Sequence, residues 1–214
     1  MATARDNIFR RIREALTQPT DLPFPKSEGN SSVFQPLNQE IEVEFAERFT
    51  ALQGKFAFCL NKAELRKQFN NLIAQEKWDK IYCVEPDICK LLGEAVNVSG
   101  DEQELASCDV SVTGCEFLVA RTGSIVMSAA QASGRNTSVY APVHICIAFT
   151  NQLVYDIKNA IEGMKEKYKT NIPSLITFAT GPSRTADIEK TLVVGVHGPK
   201  EVYVFLVEEE TTAQ

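Results

Sequence analysis

Two stretches near the carboxyl terminus carry most of the chain's chemistry. The first is Gly181-Pro182-Ser183-Arg184-Thr185-Ala186-Asp187-Ile188-Glu189, and the second is Gly195-Val196-His197-Gly198-Pro199-Lys200. The first follows the apolar run Leu175–Ala179, which reads as a strand, and Ser183 is placed to cap a helix beginning near residue 184. A strand, a tight turn and a helix amino terminus present free N–H groups and the positive end of a helix dipole, a combination that holds anions. Arg184 adds a forked donor suited to phosphate or carboxylate, and Thr185 a second hydroxyl. The alternative for the same residues is an ordinary capped turn with solvated charges.

The other polar residues divide in the same way. Asp187 and Glu189 diverge on a helix, so they do not form an acid–base pair. Asp187 reads as a support for Arg184 or Thr185. His197 is a general acid/base or ligand donor, or else a loop imidazole bonded to a carbonyl. A helix of 8–10 residues from 184 would span roughly 12–15 Å and carry His197 to the far end of the sheet; a shorter one would keep it beside Ser183. His144 alternates with Val143 and Ile145 and reads as a core histidine. Thr122-Gly123-Ser124 opens a strand where Gly123 lets a ligand or another backbone come close. Arg135 is a loop cation within possible reach of a bound anion, or a solvated one.

These groups need a scaffold. The 214 residues suit one α/β domain with an appendage. A net charge of −6 argues against broad nucleic-acid binding. No run is long and apolar enough to span a bilayer, and no secretory signal is visible, so a cytoplasmic home is expected. Six cysteines sit in apolar surroundings without C-x-x-C spacing, which reads as buried free thiols rather than a zinc or iron–sulfur site. No G-x-G-x-x-G and no P-loop occur, so no cofactor is expected in this chain.

Residues 1–38 form an amphipathic helix and a proline-rich arm. Thr3 and Asp6 make a capping box, and Ile8, Phe9, Ile12 and Leu16 make an apolar stripe. Pro19, Pro23, Pro25 and Pro36 follow. Such a short helix cannot bury its stripe alone, so it packs on the main domain, a second subunit or another protein. From 39 to 210 strands and helices alternate. Helices are expected at Ile41–Leu52, after Asn61, at Pro86–Glu94 and along the stripe Leu153, Ile157, Ile161, Met164 and Tyr168. Strands are expected at 56–60, 81–84, 96–98, 110–113, 117–120, 124–128, 143–149, 175–179 and 202–207. Short, wholly apolar strands between helices predict a mostly parallel central sheet flanked by helices, antiparallel in its middle section. Ligands bind such sheets beyond the carboxyl ends of strands, and the 181–184 turn is read as such an end.

Thr122-Gly123-Ser124, Pro142-Val143-His144-Ile145, the 181–189 stretch and Gly195–Pro199, in this order and spacing, resemble the signature of the lactate-utilisation protein C family, or LUD domain. The resemblance covers roughly residues 80–207. It implies a fold similar to the NagB/ribose-5-phosphate isomerase/CoA-transferase-like group. It also implies a role as subunit or accessory in oxidation of L-lactate to pyruvate, beside partner oxidoreductase subunits that carry the iron–sulfur clusters. Many relatives have an acid just before the Thr-Gly pair; here Arg121 stands there, and Glu116 lies five residues earlier. A CoA-transferase-type carboxylate nucleophile would need an acid in the pocket. Three readings follow. The chain is a lactate-oxidation component holding a small anion through Ser183, Arg184 and Thr185, with Thr122, Gly123, Ser124, Arg135 and Gly198 around it. Or it is a stand-alone isomerase or acyl-transfer enzyme on a phosphorylated or CoA-linked substrate, using His197 with Asp187 or Glu116. Or it is a non-catalytic assembly protein, a homo-oligomer through its arm among its options.

Overall fold

Unbroken apolar runs become strands covered on both faces. In the computed structural model, which describes residues 3–17, 36–93, 97–98, 102–188 and 191–209 (97, 98, 102, 186–188, 191 and 192 by backbone alone), six parallel strands form the main sheet. They are β1 (Lys55–Cys59), β2 (Ile81–Cys83), β3 (Asn97–Val98), β4 (Val110–Thr113), β7 (Val143–Phe149) and β12 (Glu201–Val207), in the order β1-β12-β7-β4-β2-β3. Every residue of β4 is buried, as are Val143–Ala148 and Val202–Val207. That double burial is why these segments read as continuous hydrophobic runs.

Helices α3 (Lys62–Glu76) and α4 (Pro86–Leu92) cover one face, with Leu65, Phe69, Ile145, Ile147, Phe205 and Val207 in the shared core. Asn61 starts α3 as expected: its side chain accepts the Glu64 N–H at 2.9 Å. The other face packs on α2 (Ile41–Ala51), through Phe45 and Phe49, and on a second sheet. The second sheet is mixed: β8 (Leu153–Val154), β5 (Phe117–Val119), β6 (Ser124–Ser128) and β9 (Ile176–Ala179), in that order. Helix α7 (Ile157–Tyr168) lies behind it, with Ala160 against Val119 and Val126. Short helices α5 (Glu102–Ser107) and α6 (Thr137–Tyr140) complete the layer that holds Tyr82, Leu105, Cys108 and Ala141.

The region after Ser183 departs from expectation. No helix starts there. Arg184–Ile188 is strand β10 and Thr191–Val194 is strand β11, paired antiparallel with Arg184 opposite Val194. The β-branched run Thr191, Val193 and Val194 favours extended backbone, and the segment before it is its nearest partner. That pairing outweighs the local capping signal at Ser183.

The chain divides into two compact units, Met1–Pro36 and Leu37–Gln214. The first contains α1 (Ala4–Leu16), opened by the expected capping box: the Thr3 hydroxyl accepts the Asp6 N–H, and the Asp6 carboxylate accepts the Thr3 N–H. Among the described residues no helix is long and apolar enough to cross a membrane.

Candidate functional site

The motif residues separate into two places. The first is the carboxyl end of α2. There Gly123 sits in left-handed backbone (φ 61°), and a Cβ on it would lie 2.8 Å from the Phe49 N and 2.9 Å from the Arg48 carbonyl carbon. Gly181 presses on the same helix end, where a Cβ would lie 2.9 Å from the Leu52 carbonyl oxygen. Arg184 donates from Nη2 to that oxygen (2.5 Å) and to Gln53 Oε1 (3.1 Å). A chain of hydroxyls ties the pieces together: Thr122 Oγ1 to Ser124 Oγ at 2.7 Å, and Ser124 Oγ to Thr180 Oγ1 at 2.8 Å.

The arrangement reverses the expectation for Arg184. Its guanidinium sits on the negative end of a helix of this chain, where the last carbonyls lack partners, and not at a helix amino terminus holding an external anion. Gly123 likewise admits the α2 backbone rather than a ligand. Arg121 pairs with Asp156 at 2.5 Å, and Asp156 caps α7. Replacing Arg184 with alanine is expected to lower stability by about 1 kcal/mol. Urea unfolding would show it as an earlier midpoint, with affinity for small anions unchanged by calorimetry.

The second place is the amino edge of the main sheet. The Ser183 N–H is committed to the Pro199 carbonyl (2.9 Å), and the Ser183 carbonyl accepts the Gly195 N–H (2.9 Å), so its amide is not free for an anion. The Lys200 N–H donates to the Pro142 carbonyl at 2.8 Å. Pro142 precedes β7 and Lys200 precedes β12, which are neighbours in register with Val143 opposite Glu201. The 181–184 turn therefore docks at the amino ends of parallel strands, and β9 before it belongs to the mixed sheet, so the carboxyl-end rule does not place it.

The same two connections bound an open cleft of about 450 Å³, whose lining includes Val139, Tyr140, Pro142, Val196, His197 and Lys200. None of its lining residues is acidic. The stem of Lys200 lies directly over Gly195, which fixes its course along the rim. Gly198 contributes to the wall and abuts the Ser183 side chain, so His197 and Ser183 share this neighbourhood. An ammonium, an imidazole and a phenol beside an apolar floor can hold a small organic anion.

The remaining candidates lie elsewhere. Glu116 follows β4 beyond the carboxyl edge and is buried. Its Oε1 accepts from the Ser128 and Tyr168 hydroxyls (both 2.6 Å), and its Oε2 accepts from Lys167 Nζ (2.7 Å). Those three donors outweigh its burial and hold its carboxyl below the usual range. It is at the opposite end of the sheet from His197, so the two do not form one acid–base pair. Arg135 donates to Ser174 Oγ at 2.6 Å. Thr185 pairs with Val193 across the hairpin. The side chain of Asp187, and all of Glu189, lie outside the described residues.

His144 is buried, with Nε2 2.8 Å from Thr113 Oγ1, and burial pulls its pKa down to about 4, so it is neutral in the core as expected. All six cysteines are buried and unpaired. Burial pushes the Cys59 thiol up to about 11, away from nucleophilic use. Among the described residues no cluster of His, Cys, Asp and Glu suits a metal ion.

Sequence reasoning did not select Tyr140 or Lys200. Lys200 ends a quoted stretch, but only the adjacency of β7 and β12 brings it to Tyr140, and strand order is not written in local pattern.

The comparisons with known proteins agree with this architecture. The LUD domain family matches residues 94–207, just over half of the chain. A lactate utilization protein C of Bacillus licheniformis is 36% identical over 52% of this chain and 48% of its own length. An uncharacterized protein of Neisseria meningitidis is 32% identical over 46% and 42%. The chain thus spans about half the length of the first curated relatives it matches. A lactate utilization protein C of Anoxybacillus flavithermus aligns over 94% of this chain and 96% of its own, at 25% identity. A crystal structure of a DUF162 family protein from Deinococcus radiodurans superposes with a TM-score of 0.62, covering 80% of this chain and 99% of that one at 21% identity, which supports the fold. With the motif pieces placed and the family matched across both sheets, the chain belongs to the LUD domain family.

Proposed function

We propose that this LUD-domain protein serves in the oxidation of L-lactate to pyruvate, as a subunit or accessory that binds a small organic anion in the cleft at the amino edge of β7 and β12. The reading is carried by the acid-free cleft that Tyr140, His197 and Lys200 line where two motif segments meet. The curated relatives named lactate utilization protein C support a place in lactate utilisation. Lys200 would hold the carboxylate, His197 and Tyr140 would donate to it or to an adjacent oxygen, and Val139 and Val196 would take the apolar part. Redox steps fall to iron–sulfur partner subunits, because the chain offers no flavin, nicotinamide or cluster motif.

Calorimetry with L-lactate, pyruvate and inorganic phosphate tests the site. Binding of a carboxylate is expected, with Lys200→Ala weakening it roughly 10-fold or more, the worth of one charge-assisted hydrogen bond. Equal affinity in wild type and Lys200→Ala would remove the cleft from the argument. Restored growth on L-lactate in a bacterium lacking its own lactate utilization protein C tests the pathway. Turnover of a CoA ester or sugar phosphate by the isolated chain would instead establish a stand-alone enzyme.

A further inference from the structure

We propose that helix α1 is a reversible anchor for an anionic lipid surface. Every residue of Ala4–Leu16 is exposed, including Ile8 at 59%, Phe9 at 47%, Ile12 at 47% and Leu16 at 78%. The 3.6-residue period gathers these four, with Ala4 and Ala15, on one side. Arg11 falls on one flank of that side and Arg13 on the other. Arg5 falls within that side, with its guanidinium over the Phe9 ring, 5.5 Å from its centroid.

Of the two acids of the helix, Glu14 is on the polar side and Asp6 borders the Arg13 flank, and both are occupied. Asp6 accepts from the Thr3 N–H and hydroxyl, and Glu14 pairs with Arg10 at 3.9 Å. Among the described residues neither Arg11 nor Arg13 has an ion-pair partner. With the apolar side down, their guanidinium heads reach the boundary level on both sides while their stems stay on apolar surface. A diffuse layer of phosphate charge fits an arginine on each flank and a third, Arg5, within the apolar side, and it needs no counterpart for Asp6, which is held by its own cap. A protein groove would need matching acids at fixed positions on both rims.

The charge of the whole chain sharpens the case. Residues 1–16 hold four arginines against Asp6 and Glu14, whereas the rest of the chain holds 26 acids against 18 bases. An anionic surface repels that remainder, so binding depends on α1. A helix about 20 Å long is marginal in water and gains from a surface that takes its apolar face. One short helix without a second anchor binds weakly and reversibly.

Co-sedimentation of the full chain with vesicles tests the anchor. Vesicles of phosphatidylglycerol and phosphatidylcholine in equal parts are expected to bind it, and vesicles of phosphatidylcholine alone are not. The Arg11→Glu/Arg13→Glu double variant should lose binding at least about tenfold. Phe9→Glu should lose it without any change of charge on the flanks. Sedimentation velocity of wild type and a chain lacking residues 1–17 supplies the control. No binding to the anionic vesicles, or binding that survives the truncation, overturns the proposal. So does a dimer that becomes a monomer on truncation, because a second copy would then cover the face. None of these outcomes alters the calorimetric test of the cleft.

Discussion

Gly123→Ala should cost about 3 kcal/mol or more of stability. Two costs combine. At φ 61° an alanine pays for left-handed backbone. Its methyl would also meet backbone atoms of Phe49 and Arg48 at 2.8–3.0 Å, and backbone in the last turn of a packed helix cannot turn aside as a side-chain tip can. Gly134 separates the two costs. Its φ of 63° is nearly the same, yet nothing lies within 4 Å of its virtual Cβ. Gly134→Ala should therefore show the conformational cost alone, about 1 kcal/mol. Urea unfolding of both variants gives the difference. Equal losses would mean that α2 yields freely, and that the contact between the Thr-Gly-Ser segment and this helix is not what holds the two sheets in place.

That contact shows how far local pattern reaches. Gly123 was legible as a point of close approach, but a glycine does not say what approaches it. The partner is 74 residues earlier in the chain, and only the packing of α2 between the sheets brings it there. Arg184 is the same case: a forked donor beside a turn suits any carbonyl or anion, and the carbonyl it meets belongs to Leu52.

The elements that carried their own signal were readable. Val110–Thr113, Ser124–Ser128 and Val143–Phe149 are unbroken runs of strand-forming residues, and Asn61 three residues before Glu64 marks a helix start without reference to anything distant. The hairpin of β10 and β11 was not readable, because Ser183 followed by Arg, Thr, Ala and Asp satisfies a helix start as well as a strand. The choice is made by a partner strand and by the two hydrogen bonds that lock Ser183 between Gly195 and Pro199. The cleft was hidden for a further reason. Its walls come from the entrances to β7 and β12, neighbours in space separated by β8, β9 and the hairpin in sequence.

Glu116→Ala should lower stability by about 3 kcal/mol, and its acid dependence identifies the cause. The carboxylate is buried beneath Ser128, Tyr168 and Lys167, and its removal strands the Ser128 hydroxyl and opens a void under α7. Lys167→Ala should cost less, about 1 kcal/mol, because the lysine side chain is 57% exposed and solvent screens its share. Glu116→Gln should fall between, keeping an oxygen for the two hydroxyls while losing the ion pair. The carboxyl is depressed below its usual 4.5 in the folded state, so its stabilisation is present above 4.5 and is lost as pH falls through the lower folded value. His144 acts in an earlier window. Its pKa drops from 6.5 to about 4 on folding, so stability declines from near pH 6.5 down to about 4, after which that contribution is constant. Wild-type protein should therefore lose stability in two stages on acidification, and Glu116→Gln should keep the first and shrink the second, to which Asp156 and Glu201, also held below their usual range, still contribute. A Glu116→Gln protein with the full wild-type loss below pH 4.5 would show that the carboxylate is not charged in the core. Glu116 would then be free to serve as an acid rather than as the ionic pin between β4, β6 and α7.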